Sequence, residues 1–187
     1  MTEAEFISAA LTNEYNRAIL TRLPKLGLPD CWLVSGAVFQ SVWNVLTRRA
    51  PAYGIRDYDI FYFDPDTSWD AEDDAILRTR AALAELCIEI ELRNQARVHL
   101  WYEEKFGRPY PPLTRATDGI DRFLMPCAQV GIRPANGAYA VYAPKGFADI
   151  EAMIVRPNVT ANFSSERFRE KAERWQALWP EITILPG

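Results

Sequence analysis

A chain of 187 residues can enclose one substantial core and is too short for several. With 49% hydrophobic and 25% charged residues it has the balance of a globular protein, not of a disordered or fibrous one. A formal charge of -4 argues against a nucleic-acid partner, whose backbone calls for a basic excess to neutralise phosphates, and favours a small or uncharged one.

Residues 3–23 place Phe6, Ala10, Leu11, Ile19 and Leu23 at roughly helical spacing and stop before Pro24 and Gly27, which predicts one amphipathic helix. This opening segment carries Glu3, Glu5 and Glu14 and no basic stretch followed by an apolar core, so neither a secretory signal nor a transit peptide is expected. "CWLVSG" follows as a short apolar strand ending in a glycine turn. "AVFQSVWNVLTRR" then puts Val38, Val42, Val45 and Leu46 on one helical stripe, with basic residues in the last turn, where the helix dipole favours cations. "PAYGI" is a loop and "DYDIFYFD" a strand. "PDTSWDAEDDAILRTRAALAEL" begins with turn residues and acids, as a helix N-terminus does. In "CIEIELRNQ", Ile88, Ile90 and Leu92 face one way and Glu89, Glu91 and Arg93 the other, so a second half-buried strand is expected.

"RVHLWYEEKFG" reads as a helix or helical turn stopped by Gly107 and Pro109, and the proline-rich "GRPYPPLT" marks a boundary. The chain is expected to be a single domain, with a core over about residues 1–107 and an extension over about 108–187. Beyond the boundary, "TDGIDRFLM" suggests a short helix, "QVGIR" and "YAVYAP" short strands, and "SSERFREKAERWQALWP" a terminal helix with a serine for its N-cap. The charges of that last helix suit a solvent-facing surface. Cys31, Cys87 and Cys127 are odd in number, far apart and form no CxxC pair, which suggests neither a disulfide framework nor a zinc site and suits a reducing cytoplasm. No apolar run approaches the ~20 residues that span a bilayer, so no membrane partner is expected.

Chemistry concentrates in "RDYDIFYFD". Side chains on a strand alternate, so Asp57 and Asp59 project from one face, with backbones roughly 6–7 Å apart. Two negative charges in a partly buried place are costly unless one takes a proton or a cation sits between them, and an oxygen-rich site of this kind suits Mg²⁺. An isolated pair could equally line the solvated face of an edge strand. Here the aromatic run, the upstream strand–glycine–helix unit and the later strand combine into a candidate three-carboxylate cluster. Alternation does not choose between Glu89 and Glu91 for its third member. Ser35 and Gly36 stand where a helix N-terminus offers free N–H groups to a phosphate, although a plain turn and cap would use the same residues. Arg93, on the strand face of Glu91, and Arg97 beyond it carry guanidinium forks suited to phosphate oxygens; Arg93 could equally offset the acids. His99, beside Leu100 and Trp101, reads as a hydrogen-bonded core histidine.

The succession "LVSG", "RDYDIFYFD", "IELRNQARVHLWYEEKFG" resembles the bacterial nucleotidyltransferase-like family of the DNA polymerase β-type superfamily. The likeness runs over most of the chain, including "RPN" near residue 156 and the Trp-Pro near the C-terminus. It implies an α+β fold, a mixed β-sheet flanked by helices with a small C-terminal α/β extension. It also implies two Mg²⁺ ions held by Asp57, Asp59 and Glu91, and transfer of a nucleoside monophosphate from an NTP, ATP among them, to an acceptor hydroxyl on a small molecule or a protein. The choice of Glu91 over Glu89 rests on this resemblance. The superfamily's turn usually follows its glycine with glycine or serine, whereas Ala37 supplies no hydroxyl here, leaving Ser35 or Ser41 to compensate. That departure motivates an alternative, a binding or regulatory protein that keeps the fold without turnover. A third reading, nucleotide addition to RNA, predicts a basic groove beside the carboxylates.

Overall fold

A five-stranded sheet is the spine of the computed structural model, which describes residues 1–186. Its strands are β1 (Trp32–Val34), β2 (Tyr58–Tyr62), β3 (Ile90–Asn94), β4 (Gly131–Ala135) and β5 (Ala138–Tyr142), in the order β3-β2-β1-β4-β5. Only β2 and β3 run parallel; the other pairs are antiparallel, so the sheet is mixed and the fold α+β as expected. β4 and β5 lie past the proline-rich stretch in sequence, yet β4 pairs directly with β1 through Leu33 opposite Ile132.

Among the described residues eight α-helices surround the strands: α1 (Glu3–Ala10), α2 (Glu14–Arg22), α3 (Gly36–Leu46), α4 (Trp69–Leu83), α5 (Tyr102–Phe106), α6 (Ala116–Ile120), α7 (Ala148–Glu151) and α8 (Ser165–Leu178). A separate parallel pair joins β6 (Ile154–Val155) to β7 (Thr183–Ile184). Among the described residues, no helix is long and apolar enough to cross a membrane.

The single helix expected over residues 3–23 is two. Asn13 breaks it by serving as the N-cap of α2, its side chain accepting from the Tyr15 N–H at 3.0 Å while its amide donates to Ser41 Oγ and the Tyr58 hydroxyl. A buried asparagine with these partners gains more from capping than from continuing a helix. In α3 the stripe also shifts. Val38, Phe39, Val42 and Trp43 are fully buried, whereas Val45 and Leu46 are each 43% exposed, because the core takes the helix's first two turns and releases its end.

Alternation in β2 divides the molecule. Tyr58, Ile60 and Tyr62 enter the main core under the N-terminal helices, while Asp59 and Phe61 face the other way. On that second face Trp32, Val34, Ala116 and Ile120 pack together, with Phe61 and Phe123 stacked at 5.4 Å beside them.

α8 is held to α3 by an aromatic cluster. Phe39 and Trp43 meet Trp175 edge-on at 5.1 and 5.8 Å, Trp179 meets Trp43 at 5.6 Å, and the Trp179 indole donates to Asn44 Oδ1 at 2.9 Å. Trp179→Ala would leave a large void and an unpaired Asn44 carbonyl. The expected loss is about 3–5 kcal/mol, read as a lowered denaturant midpoint at unchanged slope.

Candidate active site

The register of the parallel pair sets Asp59 beside Glu91, with Phe61 beside Arg93 in the next same-face position. Asp57, just before β2, joins them, and all three carboxylates line one cavity of about 370 Å³. Glu89 lies outside it, exposed ahead of β3, so the register separates the two glutamates that alternation left equivalent. Among the described residues, no three Asp, Glu, His or Cys side chains stand gathered closely enough to hold an ion as they are.

The electrostatics are those of crowded acids. Burial pushes the Asp59 carboxyl up to about 7, Asp57 and Glu91 add to the rise, and Lys171 and Arg93 partly offset it. Asp59 keeps some surface on the cavity even though protein surrounds it on most sides. Lys171 answers from α8: burial holds its ammonium below the ordinary lysine range, and the charges of Asp59 and Asp57 pull the other way.

α8 contributes more than that one cation. Arg167, Lys171 and Arg174 recur at intervals of four and three, so they form one helical stripe, and all three line the cavity. The neighbouring stripe of Phe168, Ala172, Trp175 and Trp179 is the one that packs inward. The expectation of a solvent-facing helix holds for Glu166, Arg169, Glu170 and Glu173, which are exposed, whereas Arg167 and Lys171 are half-buried toward the cavity that the packing leaves. Arg167 also donates to the Tyr102 hydroxyl at 2.8 Å, tying α8 to α5 across the cavity rim. With Arg93 and Arg122, five basic side chains share the cavity with three acidic ones. An acidic total charge does not describe this local surface.

Arg93 lies in the cavity, its Nη2 3.9 Å from Glu91 Oε2. Arg97 does not. Its guanidinium is only 2% exposed, paired with Glu72 at 3.0 Å, donating to the Ser68 carbonyl, and stacked on Trp69 at 4.5 Å. The phosphate-binding role expected of Arg97 is therefore corrected to a structural one, since an alternation-breaking turn after Asn94 sends it to the α4 side. His99 is half-buried and, among the described residues, its Nδ1 finds no hydrogen-bond partner, which differs from the hydrogen-bonded core histidine expected.

Ser35 and Gly36 are not part of the cavity wall. They follow Val34, which pairs with Asp59, so the start of α3 adjoins the carboxylates from the β1 side. Ser35 adopts φ 53°, ψ -125°, a conformation that costs a non-glycine residue about 1–3 kcal/mol and concentrates at functional turns. Its side chain does not cap the helix. Ser41 is committed inward, donating to the Ala37 carbonyl at 2.7 Å and accepting from Asn13 and Asn16, so it cannot supply the hydroxyl that Ala37 lacks.

Carboxylates aligned on adjoining strands beside a glycine turn and a basic helix are an arrangement suited to phosphoryl- or nucleotidyl-transfer chemistry. Residues 21–184 match the family model described as nucleotidyltransferase, and the chain belongs to that family. It is a transferase by that membership. A solved structure described as an NMR structure revealing a CCA-adding enzyme head domain superposes with a TM-score of 0.80, at 26% identity, covering 100% of this chain and 97% of that one. No curated protein matches the sequence.

Proposed function

We propose that this protein moves a nucleoside monophosphate from an NTP to an acceptor hydroxyl and releases pyrophosphate, with Mg²⁺ held by Asp57, Asp59 and Glu91. One observation carries the reading: acids suited to cations and cations suited to phosphates meet in a single cavity at the β2–β3 seam. The three carboxylates are hard oxygen donors, the set Mg²⁺ prefers, and would be the residues that hold it. When bound, Mg²⁺ neutralises triphosphate charge and makes the acceptor hydroxyl more acidic.

The chain's own residues do the rest. Glu91 accepts the acceptor proton, the acceptor oxygen bonds to the α-phosphorus, and the bond from that phosphorus to the bridging oxygen of the β-phosphate breaks. Arg93, Arg167, Lys171 and Arg174 orient the triphosphate and offset the charge of the leaving pyrophosphate. The start of α3 offers the Gly36 N–H to the phosphates from the β1 side, the Ser35 N–H being taken by the Val130 carbonyl. A non-catalytic NTP-binding role is favoured by one feature, the inward commitment of Ser41 where Ala37 lacks a hydroxyl.

The two readings separate in one assay. Transfer predicts Mg²⁺-dependent pyrophosphate release from at least one NTP when a panel of hydroxyl acceptors is supplied. NTP binding by calorimetry with no release across that panel would establish the non-catalytic role instead.

A further inference from the structure

Beyond the free edge of β3 lies a second cavity, of about 480 Å³, between α4 and the turn that carries Trp101. Trp69 and Trp101 line it, together with Arg93 and Lys105 and with Glu104 and Glu72, the latter already paired with Arg97. Arg93 and Trp101 also line the carboxylate cavity, so the two spaces adjoin through shared side chains.

Trp69 is 76% exposed, leaving most of its indole open to solvent. Arg97 is buried beneath one face of the ring, and Glu72 and the Ser68 carbonyl hold Arg97 there. Burying a guanidinium is costly, and this one lies beneath an aromatic surface that borders open space. Trp101 presents a second indole to the same space, and Lys105 sits 5.6 Å from its ring centre.

We infer that this cavity stacks a nucleobase belonging to the acceptor, with Lys105 facing the phosphate attached to it. Sequence-tolerant stacking on aromatic rings beside basic side chains is how proteins hold single nucleotides and strand ends. The position selects the acceptor over the donor. The glycine turn that receives the donor's phosphates follows β1, on one side of β2, whereas the tryptophans lie past β3, on the other. A ribose hydroxyl reaching from the tryptophans toward Glu91 would enter the carboxylate cavity past Arg93. The acceptor is thus a nucleotide or a nucleotide-terminated molecule. This assignment rests on the transfer reading of the neighbouring cavity.

The test is a titration of the full chain with adenosine 5′-monophosphate in EDTA, followed by the indole N–H signals of its six tryptophans. Spectra of Trp69→Phe and Trp101→Phe assign the two lines of interest and report on folding. The nucleotide is expected to move both lines and ribose 5-phosphate to leave Trp69 unmoved. Trp69→Ala should weaken binding by about tenfold or more, Trp69→Phe by less, and Asp59→Asn should leave it in place. An unmoved Trp69 line, or equal affinity in Trp69→Ala, overturns the site while Asp59-dependent transfer, measured separately, still stands. Stacking without Asp59-dependent pyrophosphate release overturns the transfer reading and with it the ring's place in an acceptor site.

Discussion

Asp59→Asn is expected to lower nucleotidyl transfer by about a thousandfold or more, the scale of losing a central charged group, while making the metal-free protein more stable at neutral pH. The two effects share one cause. Asp59 stands among Asp57 and Glu91 in a poorly solvated place, and its carboxyl is raised from 3.8 to about 7. Because the folded state holds this proton more tightly than the unfolded chain does, stability falls as pH rises from about 4 to about 7 and then levels. Asparagine never ionises. Its advantage is therefore absent near pH 4, grows through that window and is full above pH 7. A displacement from 3.8 to about 7 corresponds to at most about 4 kcal/mol, and the open cavity beside the carboxyl reduces this to roughly 1–2 kcal/mol. In a domain of this length that is a melting-temperature gain of roughly 2–8 °C. Adding Mg²⁺ should raise the melting temperature of the wild type and not of the variant, since only the wild type binds the ion well. Equal melting temperatures for the two proteins at pH 8 without metal would refute the crowding argument.

Lys171→Met is expected to reduce kcat/KM for the NTP by about 10²–10³-fold, the cost of removing one preorganised charge at a developing anion. Methionine keeps the length and packing of the side chain in its partly buried position on α8. The decisive second readout has the opposite sign: Mg²⁺ binding to the free protein should be unchanged or tighter, because the variant removes a cation facing Asp59 and Asp57. A lysine that served only to stabilise the helix would weaken both. Arginine is a poor replacement here, since its planar fork needs more room than a compact ammonium.

The Asp57–Asp59 pair was legible because a strand's two-residue period is local: any β2 over Tyr58–Tyr62 must send Asp59 and Phe61 to one side and Ile60 to the other. The same logic announced β3, and the serine expected to cap the terminal helix is Ser164. It failed at Asn13, where a capping hydrogen bond and two distant partners, Ser41 and Tyr58, outweigh a continuous apolar stripe. It failed at Arg97 too, since one turn after Asn94 reverses which side the next side chain reaches. Nor could it find Lys171. The spacing of Arg167, Lys171 and Arg174 is visible in the chain, but a basic stripe looks the same whether it faces water or a cavity.

Sequence by itself determined the period of each element, the family resemblance and the pairing of two aspartates on one strand face, all of which depend on residues near one another in the chain. Tertiary structure decided that Glu91, which the resemblance implied, and not Glu89 stands beside Asp59, that five cations from three separate segments share their cavity, and that Trp69 lies in the open above a buried arginine. Those outcomes turn on strand register and on which face of α8 the tryptophans of α3 and α8 bury. Both are settled by packing between segments as far as 135 residues apart, as in the Asn44–Trp179 bond, and no local pattern encodes them.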